Sequence, residues 1–489
     1  MDLASQLQLH ARTRPRHPAV ISTTHVLDYA SLAASSNALD GKLRQNVLPG
    51  HRVGIYCTDP IALAIAFHGC MLAGISAIIL DPAWPSARLL QMLELFDSPT
   101  VLCDRAGESV LRALGQNTVR VPSVVEDVAT VPAITPCDDA QCELLVVFTS
   151  GSSGSPKAVM RSRESWQQSI GRCATTLGAT QDARTLVPGP LTHGLGLYAL
   201  VESIATGGTL VAPGRWNAQD VSTLLETESC NRMVAVPTLI RLMLDQLPAN
   251  LFASLRHVVT GGEALASPLA QRILQVSPQI ACTEYYGSSE HSLIAYREHQ
   301  RSAKASMPEF IGTFFDGVRA HLHAPQDNGV GRLMIASDFI ATGYDPRGAG
   351  ELERCQDATG VGDLARLLPD NQVQILGRHG EMLNINGNNI YPAEISTALE
   401  QCGLTQSVIQ AHRDAADRAQ ITAYCLLPQT RKLPDPLELH RELKSLLPTY
   451  KIPHDIVFLS HWPLTNSGKR DVLNLPVPTT EGLRKLRLR

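Results

Sequence analysis

Between Val147 and Met160 the chain reads VFTSGSSGSPKAVM. A short apolar run, Leu144 to Phe148, ends abruptly in Thr149, Ser150, Gly151, Ser152, Ser153, Gly154, Ser155, Pro156 and Lys157. Glycines let the backbone come close and expose N–H groups, hydroxyls donate further hydrogen bonds, and the lysine adds positive charge. Together these suit a polyphosphate. The string is not a Walker A loop, because the G-x-x-x-x-G-K-[ST] spacing is absent. A flexible Ser/Gly linker would need neither the preceding buried-type strand nor the Pro-Lys ending.

The segments around this loop point to a fold class. Val53–Cys57 and Ser76–Leu80 read as short strands, Ile61–Leu72 and Ala87–Phe96 as helices, and Val101–Cys103 as the next strand. Such alternation predicts βαβ units and a mainly parallel sheet. It repeats from Leu186 to Tyr286, with strands at Thr209–Ala212, Met233–Val236 and His257–Thr260. Ile311–Arg378 is richer in glycine and strand patterns and reads as a smaller β subdomain. Beyond Gly380 come a helix at Pro392–Cys402, strands at Ser407–Ala411 and Gln420–Leu427, and a helix at Asp435–Leu447, which form a compact α+β unit. The expectation is an α/β chain: a large N-terminal domain of layered β-sheets with helices and a β subdomain over 1–380, and a smaller α+β C-terminal domain over 381–489.

A chain of 489 residues exceeds one compact core. Its hydrophobic share of 44% and charged share of 18% are ordinary for a soluble enzyme. A formal net charge of −4 argues against a dedicated nucleic-acid partner. The basic tail GLRKLRLR, Gly482 to Arg489, reads as a solvated terminal segment. The eleven cysteines are irregularly spaced and include no C-x-x-C pair, which suggests reduced thiols. The first residues lack a secretory pattern, and Ile61–Leu72 is too short to span a bilayer and contains His68. A soluble, cytoplasmic protein with no membrane span is expected.

The loop at Thr149–Lys157 closely resembles the phosphate-loop signature of the adenylate-forming superfamily: acyl- and aryl-CoA synthetases, stand-alone and peptide-synthetase adenylation domains, and luciferases. Five further segments match that family's pattern in order, and with the loop they cover almost the whole chain. They are TGGEAL (Thr260–Leu265), EYYGSSE (Glu284–Glu290), GDLARLLPDNQVQILGR (Gly362–Arg378), GRHGEMLNINGNNIYPAEIS (Gly377–Ser396) and PLTNSGKRD (Pro463–Asp471).

The resemblance implies ATP and Mg²⁺ as cofactors and assigns the residues as follows. Thr149, Ser150, Gly151, Ser152, Ser153, Gly154 and Lys157 grip the β- and γ-phosphates. Gly261, Gly262 and Glu263 pack near the adenine and the acyl pocket. Tyr286 stacks on adenine, with Gly287 and Ser288 beside it, and Ser289, where relatives usually have Thr, contacts phosphate. Glu290, with Thr149, holds the magnesium ion. Asp363 accepts the ribose hydroxyls, since one carboxylate can take both, and Arg378 reaches the ribose or phosphate. Glu381 stands where the family usually has an Asp hinge, about which a mobile C-terminal domain rotates. Asn384 stands where many CoA ligases have Lys, and Gly387 lies on the loop that faces the site during thiol attack. Lys469 is the expected catalytic cation, because negative charge builds on the α-phosphate as a carboxylate attacks it. That demotes Lys157 to phosphate gripping.

PGPLTHGLGLYAL, Pro188–Leu200, is expected to line the acyl pocket. Amino-acid-activating relatives carry an Asp near this position for the substrate ammonium, whereas this chain has Thr192 and His193. A pocket without a carboxylate would leave a buried ammonium unpaired, so an aryl or fatty acid is expected rather than an α-amino acid. His193 matches the histidine gate of acid–CoA ligases and joins Lys469 and Glu290 as a catalytic candidate. Gly194 and Gly196 are read as making room for the acyl group, with Gly262 and Gly287 also touching it.

TYKIPHDIVFL, Thr449–Leu459, resembles the Tyr-Lys-x-Pro segment of CoA ligases, whereas PLTNSGK leans toward peptide-synthetase adenylation domains. No phosphopantetheine serine motif is present. The leading expectation is an acid–CoA ligase. The alternative is a stand-alone adenylation enzyme that loads the phosphopantetheine of a separate carrier protein. A nucleotide sensor that has lost catalysis is disfavoured by the presence of Lys469, Asp363 and Glu290.

Overall fold

A computed structural model of the chain describes residues 2–47, 51–96, 100–122, 142–149, 157–301, 310–348, 350–378, 383–385, 388–390, 392–413, 419–427, 432–447, 449–465, 470–476 and 484–488. Among these residues are twelve α-helices and four sheets, a mixed α/β architecture.

Five parallel strands form the body of a seven-stranded sheet. Their spatial order is Glu143–Thr149, Ser76–Ile79, Arg52–Tyr56, Val101–Cys103, Thr118–Arg120. The three central strands are almost continuously buried, which explains their unbroken apolar runs. The helix Pro60–Ala73 that joins two of them is buried along nearly its whole length. Asp59 caps it by accepting from the Ala62 N–H at 3.0 Å. His68 within it bonds through Nδ1 to the Ala64 carbonyl at 2.8 Å, and burial pushes its pKa down to about 4. No helix among the described residues is long and apolar enough to cross a membrane.

The fifteen-stranded sheet has two halves of different character. In the first, six strands from Pro18–Ile21 to Ala281–Ser288 run parallel. At Ser288–Ser292 the chain turns back, and Ser292–Glu298 pairs antiparallel with Ala281–Ser288. Phe310–Phe314 then pairs with Ser292–Glu298 on one side and Gln372–Arg378 on the other. The β segment expected as a separate subdomain therefore continues the large sheet. One hydrogen-bonded surface carries both Tyr286 and Asp363.

The C-terminal unit has its own core, built from Ile395, Leu399, Ile421, Leu443, Ile456 and neighbours. Its four-stranded sheet runs Ser407–Arg413, Ala419–Leu426, Asp455–Leu459, Arg484–Arg487. The last strand corrects one expectation, because the basic tail is not simply solvated. Arg484–Arg487 pairs antiparallel with Asp455–Leu459 and buries Leu486 in the core. Alternating Leu and Arg gives the strand one apolar and one charged face.

Candidate active site

The strand Glu143–Thr149 returns as Lys157–Ser162 in an antiparallel pair, in which Thr149 faces Lys157. Ser150, Gly151, Ser152, Ser153 and Gly154 lie outside the described residues, between these two fixed ends. Lys157 Nζ sits 4.9 Å from the centre of the Tyr344 ring and 3.4 Å from its hydroxyl. Tyr344 in turn donates to Glu290 Oε1 at 2.7 Å. Burial and the adjacent Glu290 carboxylate raise the Tyr344 pKa, which keeps the phenol protonated as a donor. Tyr344 reaches this place because Gly343–Tyr344 adds to the hairpin edge, opposite Met160 and Val159.

The turn that presents Glu290 is anchored from below by Arg161, a fully buried residue of the same hairpin. Its guanidinium donates to the Ser289 carbonyl at 2.8 Å and to Ser292 Oγ at 2.6 Å. Burial lowers the Arg161 pKa to about 10. Ser288 Oγ accepts from the His291 N–H at 3.2 Å and closes the turn locally. A Cβ at Gly287 would lie 2.1 Å from the Ser292 carbonyl, so only glycine lets the two strands meet there.

On the neighbouring antiparallel strands, Asp363 and Arg378 are Cα partners, and Arg378 Nε donates to Asp363 Oδ1 at 3.2 Å. The Tyr286 hydroxyl donates to the other Asp363 oxygen. Of the predicted adenine, ribose and phosphate residues, Tyr286, Asp363 and Arg378 form one cluster, and Lys157 and Glu290 are joined in another through Tyr344, which was not predicted.

The predicted acyl residues lie next to them. His193 sits at the N-terminal end of the helix Gly194–Ala205. A Cβ at Gly194 would be 3.5 Å from Ser289 Oγ, so this loop abuts the Glu290 turn. Gly196 does not make room for a ligand as expected. A Cβ there would be 2.4 Å from the Pro190 carbonyl, so that space is filled by the protein's own backbone. The absence of a carboxylate near the acyl position is also corrected. Asp81, buried after the strand Ser76–Ile79, brings Oδ2 to 3.4 Å from His193 Nε2. That is ion-pair distance without hydrogen-bond geometry, and His193 Nε2 and Thr192 Oγ1 are both buried without a hydrogen-bond partner among the described residues. Asp81 Oδ1 accepts from the Ala83 N–H at 2.9 Å.

Glu263, expected at the nucleotide, has both oxygens engaged elsewhere. Oε2 accepts from Thr238 N and Oγ1 at 3.2 and 2.7 Å, and Oε1 accepts from the Arg470 N–H at 3.2 Å. The loop Gly261–Leu265 is tied to the strand carrying Tyr286 by Glu284, which accepts from the Leu265 N–H at 2.9 Å and pairs with Arg297. Lys469, Glu381 and Gly387 lie outside the described residues, as does the side chain of Asn384. The residue after Lys469 is nonetheless held against Glu263 through its backbone.

Tyr344 and Arg161 belong to none of the recognisable motifs, and Asp81 opens the D-P-x-x-P turn Asp81–Pro85, whose spacing names no partner. For Arg161 a signal exists, since an arginine stands at a buried position of the otherwise apolar strand KAVMRS. For Tyr344 and Asp81 only the fold reveals the contact.

Known proteins resemble this chain in sequence and in fold. The chain is 27% identical over 499 residues to gramicidin S synthase 2 of Aneurinibacillus migulanus, a match that takes in 96% of this chain. It spans only 11% of the length of that much longer protein. Its fold matches O-succinylbenzoate coenzyme A synthetase of Bacillus subtilis, solved in complex with ATP and magnesium ion, at a TM-score of 0.77 and 23% identity over 95% of this chain and 98% of that one. It also matches an amide bond synthetase of Marinactinospora thermotolerans, at a TM-score of 0.83 and 19% identity over 96% and 98% of the two chains. Residues 7–345 match the family of AMP-binding enzymes, and this protein belongs to that family, within the adenylate-forming superfamily.

Proposed function

We propose that the chain activates a carboxylic acid with ATP, forms an acyl-adenylate with release of pyrophosphate, and passes the acyl group to a thiol. The observation that carries this reading is the meeting of two clusters. Lys157, at one end of the Ser/Gly segment, meets Tyr344 and through it Glu290, and Tyr286, Asp363 and Arg378 stand on the other sheet. One supplies a cation and a carboxylate for phosphates, the other an aromatic ring and a diol acceptor for a nucleoside.

In this reading Thr149, Lys157 and the intervening loop hold the β- and γ-phosphates, and Ser289 contacts phosphate. The ring of Tyr286 meets the adenine, and Asp363 takes the ribose hydroxyls. Lys469 supplies positive charge where the carboxylate attacks, from a loop whose next residue bonds Glu263. Residues 1–380 and 381–489 act as two domains hinged at Glu381, so that the small one can withdraw Lys469 before the thiol enters.

A magnesium ion fits Glu290 and Thr149. Tyr344 orients the carboxylate through Oε1, and Oε2 has no hydrogen-bond donor among the described residues. No cluster of three or more His, Cys, Asp or Glu that could hold a metal lies among the described residues. That accords with a cation that takes most of its oxygens from phosphate and water. When bound, the ion neutralises phosphate charge.

The acid is aryl or fatty, bounded by His193, Gly194, Thr192 and the loop at Gly262. Asp81 is already engaged by the Ala83 N–H and faces His193, so it is not read as a substrate-ammonium partner. CoA is the proposed acceptor. A carrier-bound phosphopantetheine is the second reading, favoured by the similarity to a small segment of gramicidin S synthase 2.

The test is a screen of aryl, short-chain, medium-chain and α-amino acids for acid-dependent pyrophosphate release. Mass detection of the thioester follows, with CoA and with a phosphopantetheinylated carrier. Silence across all acids would overturn the reading, and an α-amino acid as the best substrate would overturn its substrate class. Lys469→Ala should lower adenylate formation by roughly 10²–10³, and unchanged release would remove Lys469 from the mechanism.

A further inference from the structure

A cleft of about 240 Å³ separates the large part of the chain from the C-terminal unit. Arg241 and Glu263 stand on its large-domain wall, and Thr397, Glu400, Gln406, Ser407 and Arg470 on the other. None of the residues of the nucleotide and acyl clusters lines it, apart from Glu263, whose oxygens accept from Thr238 and Arg470.

Hydrogen bonding in this cleft is incomplete, and the surplus is in donors. Thr397 Oγ1, Ser407 Oγ and Gln406 Nε2 are buried with no partner among the described residues. The Gln406 amide is oriented by Trp462, whose Nε1 donates to Oε1 at 3.0 Å, so its NH₂ group is the unspent end. Arg241 has no hydrogen-bond or ion-pair partner among the described residues. Burial lowers its pKa to about 10, with Arg272 and Arg470 adding to the shift and the Asp245 and Glu263 carboxylates opposing it. Of the acceptors, both oxygens of Glu263 already take bonds from protein donors, and burial raises the pKa of Glu400 while Arg241, Arg297 and Arg470 act to lower it. A polar cleft of this size that joins cations to unused donors is short of acceptor oxygens.

The geometry points to a binding site for a phosphate-sized oxyanion in this cleft, held by Arg241 from the large part and by Thr397, Gln406 and Arg470 from the C-terminal unit. Its donors come from both sides, so the anion favours the arrangement in which the two walls face each other. The turnover consequence rests on the proposed function: an anion bound here slows any step that needs the walls to part, and thioester formation falls while acid-dependent pyrophosphate release continues. The oxyanion could be inorganic phosphate, the pyrophosphate product or the phosphate of a phosphopantetheine arm.

The experiment titrates the full chain with inorganic phosphate, pyrophosphate and phosphopantetheine, reading the thermal midpoint and the calorimetric Kd. Saturable binding is expected. Arg241→Met should weaken it at least about tenfold, as for loss of a charge-assisted hydrogen bond. Thr397→Val, which keeps the side chain's shape, should weaken it by a smaller factor, and it decides the matter if Arg241→Met fails to fold. Lys157→Ala should leave this binding in place, because that lysine belongs to the nucleotide cluster. The tightest of the three ligands names the source. The site is refuted if no ligand saturates up to tens of millimolar, if both cleft variants bind like the parent, or if Lys157→Ala abolishes binding. Pyrophosphate release assayed on the same samples separates the two ideas: its absence sinks the proposed function while the cleft titration still stands on its own.

Discussion

Tyr344 links Lys157 to Glu290, and Asp363 links Tyr286 to Arg378. A few ångströms away, Thr192 and His193 carry buried polar atoms with no hydrogen bond among the described residues. The first region is arranged before any ligand arrives, so its dipoles need no reorganisation during reaction. The second region leaves bonds unmade, and a buried polar group without a partner costs about 1–3 kcal/mol. Its deficit is made good only by what binds there. Under the proposed function, the first region would carry chemistry common to any acid, and the second the choice among acids.

The largest test of this contrast is Glu290→Gln. It keeps an acceptor for Tyr344 but removes the negative charge, and acid-dependent pyrophosphate release should fall by roughly 10²–10³. A fall of less than tenfold would show that the arranged region is not where charge develops.

Next in size is an effect of pH on stability. Burial lowers the pKa of His291, which sits under the Glu290 turn, from 6.5 to about 4. The unfolded chain takes a proton below 6.5 that the folded chain refuses. The stabilisation is therefore present above 6.5 and is lost as pH falls toward 4, at about 1.4 kcal/mol per unit at most. Denaturant unfolding at several pH values should show this slope, and His291→Gln should remove one histidine's share of it, since His68 and His257 are lowered to about 4 as well. An unchanged slope would mean that the turn does not depend on a neutral imidazole.

Tyr344→Phe should be milder. Loss of one hydrogen bond to Glu290, worth about 1 kcal/mol, predicts a several-fold drop in rate with little loss of fold. The smallest effect on the nucleotide side should come from His193→Ala. AMP affinity, measured by calorimetry, should stay within about twofold while the ranking of acids changes. A large loss of AMP binding would erase the division between the two regions.

Much of this was legible in the chain before the fold. The helix expected at Ile61–Leu72 spans Pro60–Ala73, and the strand expected at Val101–Cys103 has those bounds. Both are short, strongly apolar and bracketed by Asp, Pro or Gly, so local pattern and burial agree. Lys157, Glu290, Tyr286, Asp363 and Arg378 were identifiable because each lies in a motif, and the sheets bring those motifs together. Tyr344 lies in none, and Asp81, though it opens the D-P-x-x-P turn, gave no sign of its contact with His193. Each meets its partner across more than fifty residues of sequence, through strand pairing that no local pattern records. Gly196 misled for a related reason. A missing side chain signals close approach without saying whether ligand or backbone approaches. The tail LRKLRLR held a usable signal, an apolar–basic alternation, which its overall charge obscured.

The pairing of Thr149 with Lys157 has one more consequence, in chain entropy. Seven residues, Ser150 to Pro156, join two points that the sheet already holds opposite each other. Closing such a segment from a free chain would cost roughly 2 kcal/mol, growing as (3/2)RT ln n. The hairpin meets that cost when the protein folds, because the sheet fixes both ends of the segment. By the same logarithm, doubling the segment would add only about 0.6 kcal/mol. The length of this loop is therefore a weak constraint, and the identity of its two anchoring residues a strong one.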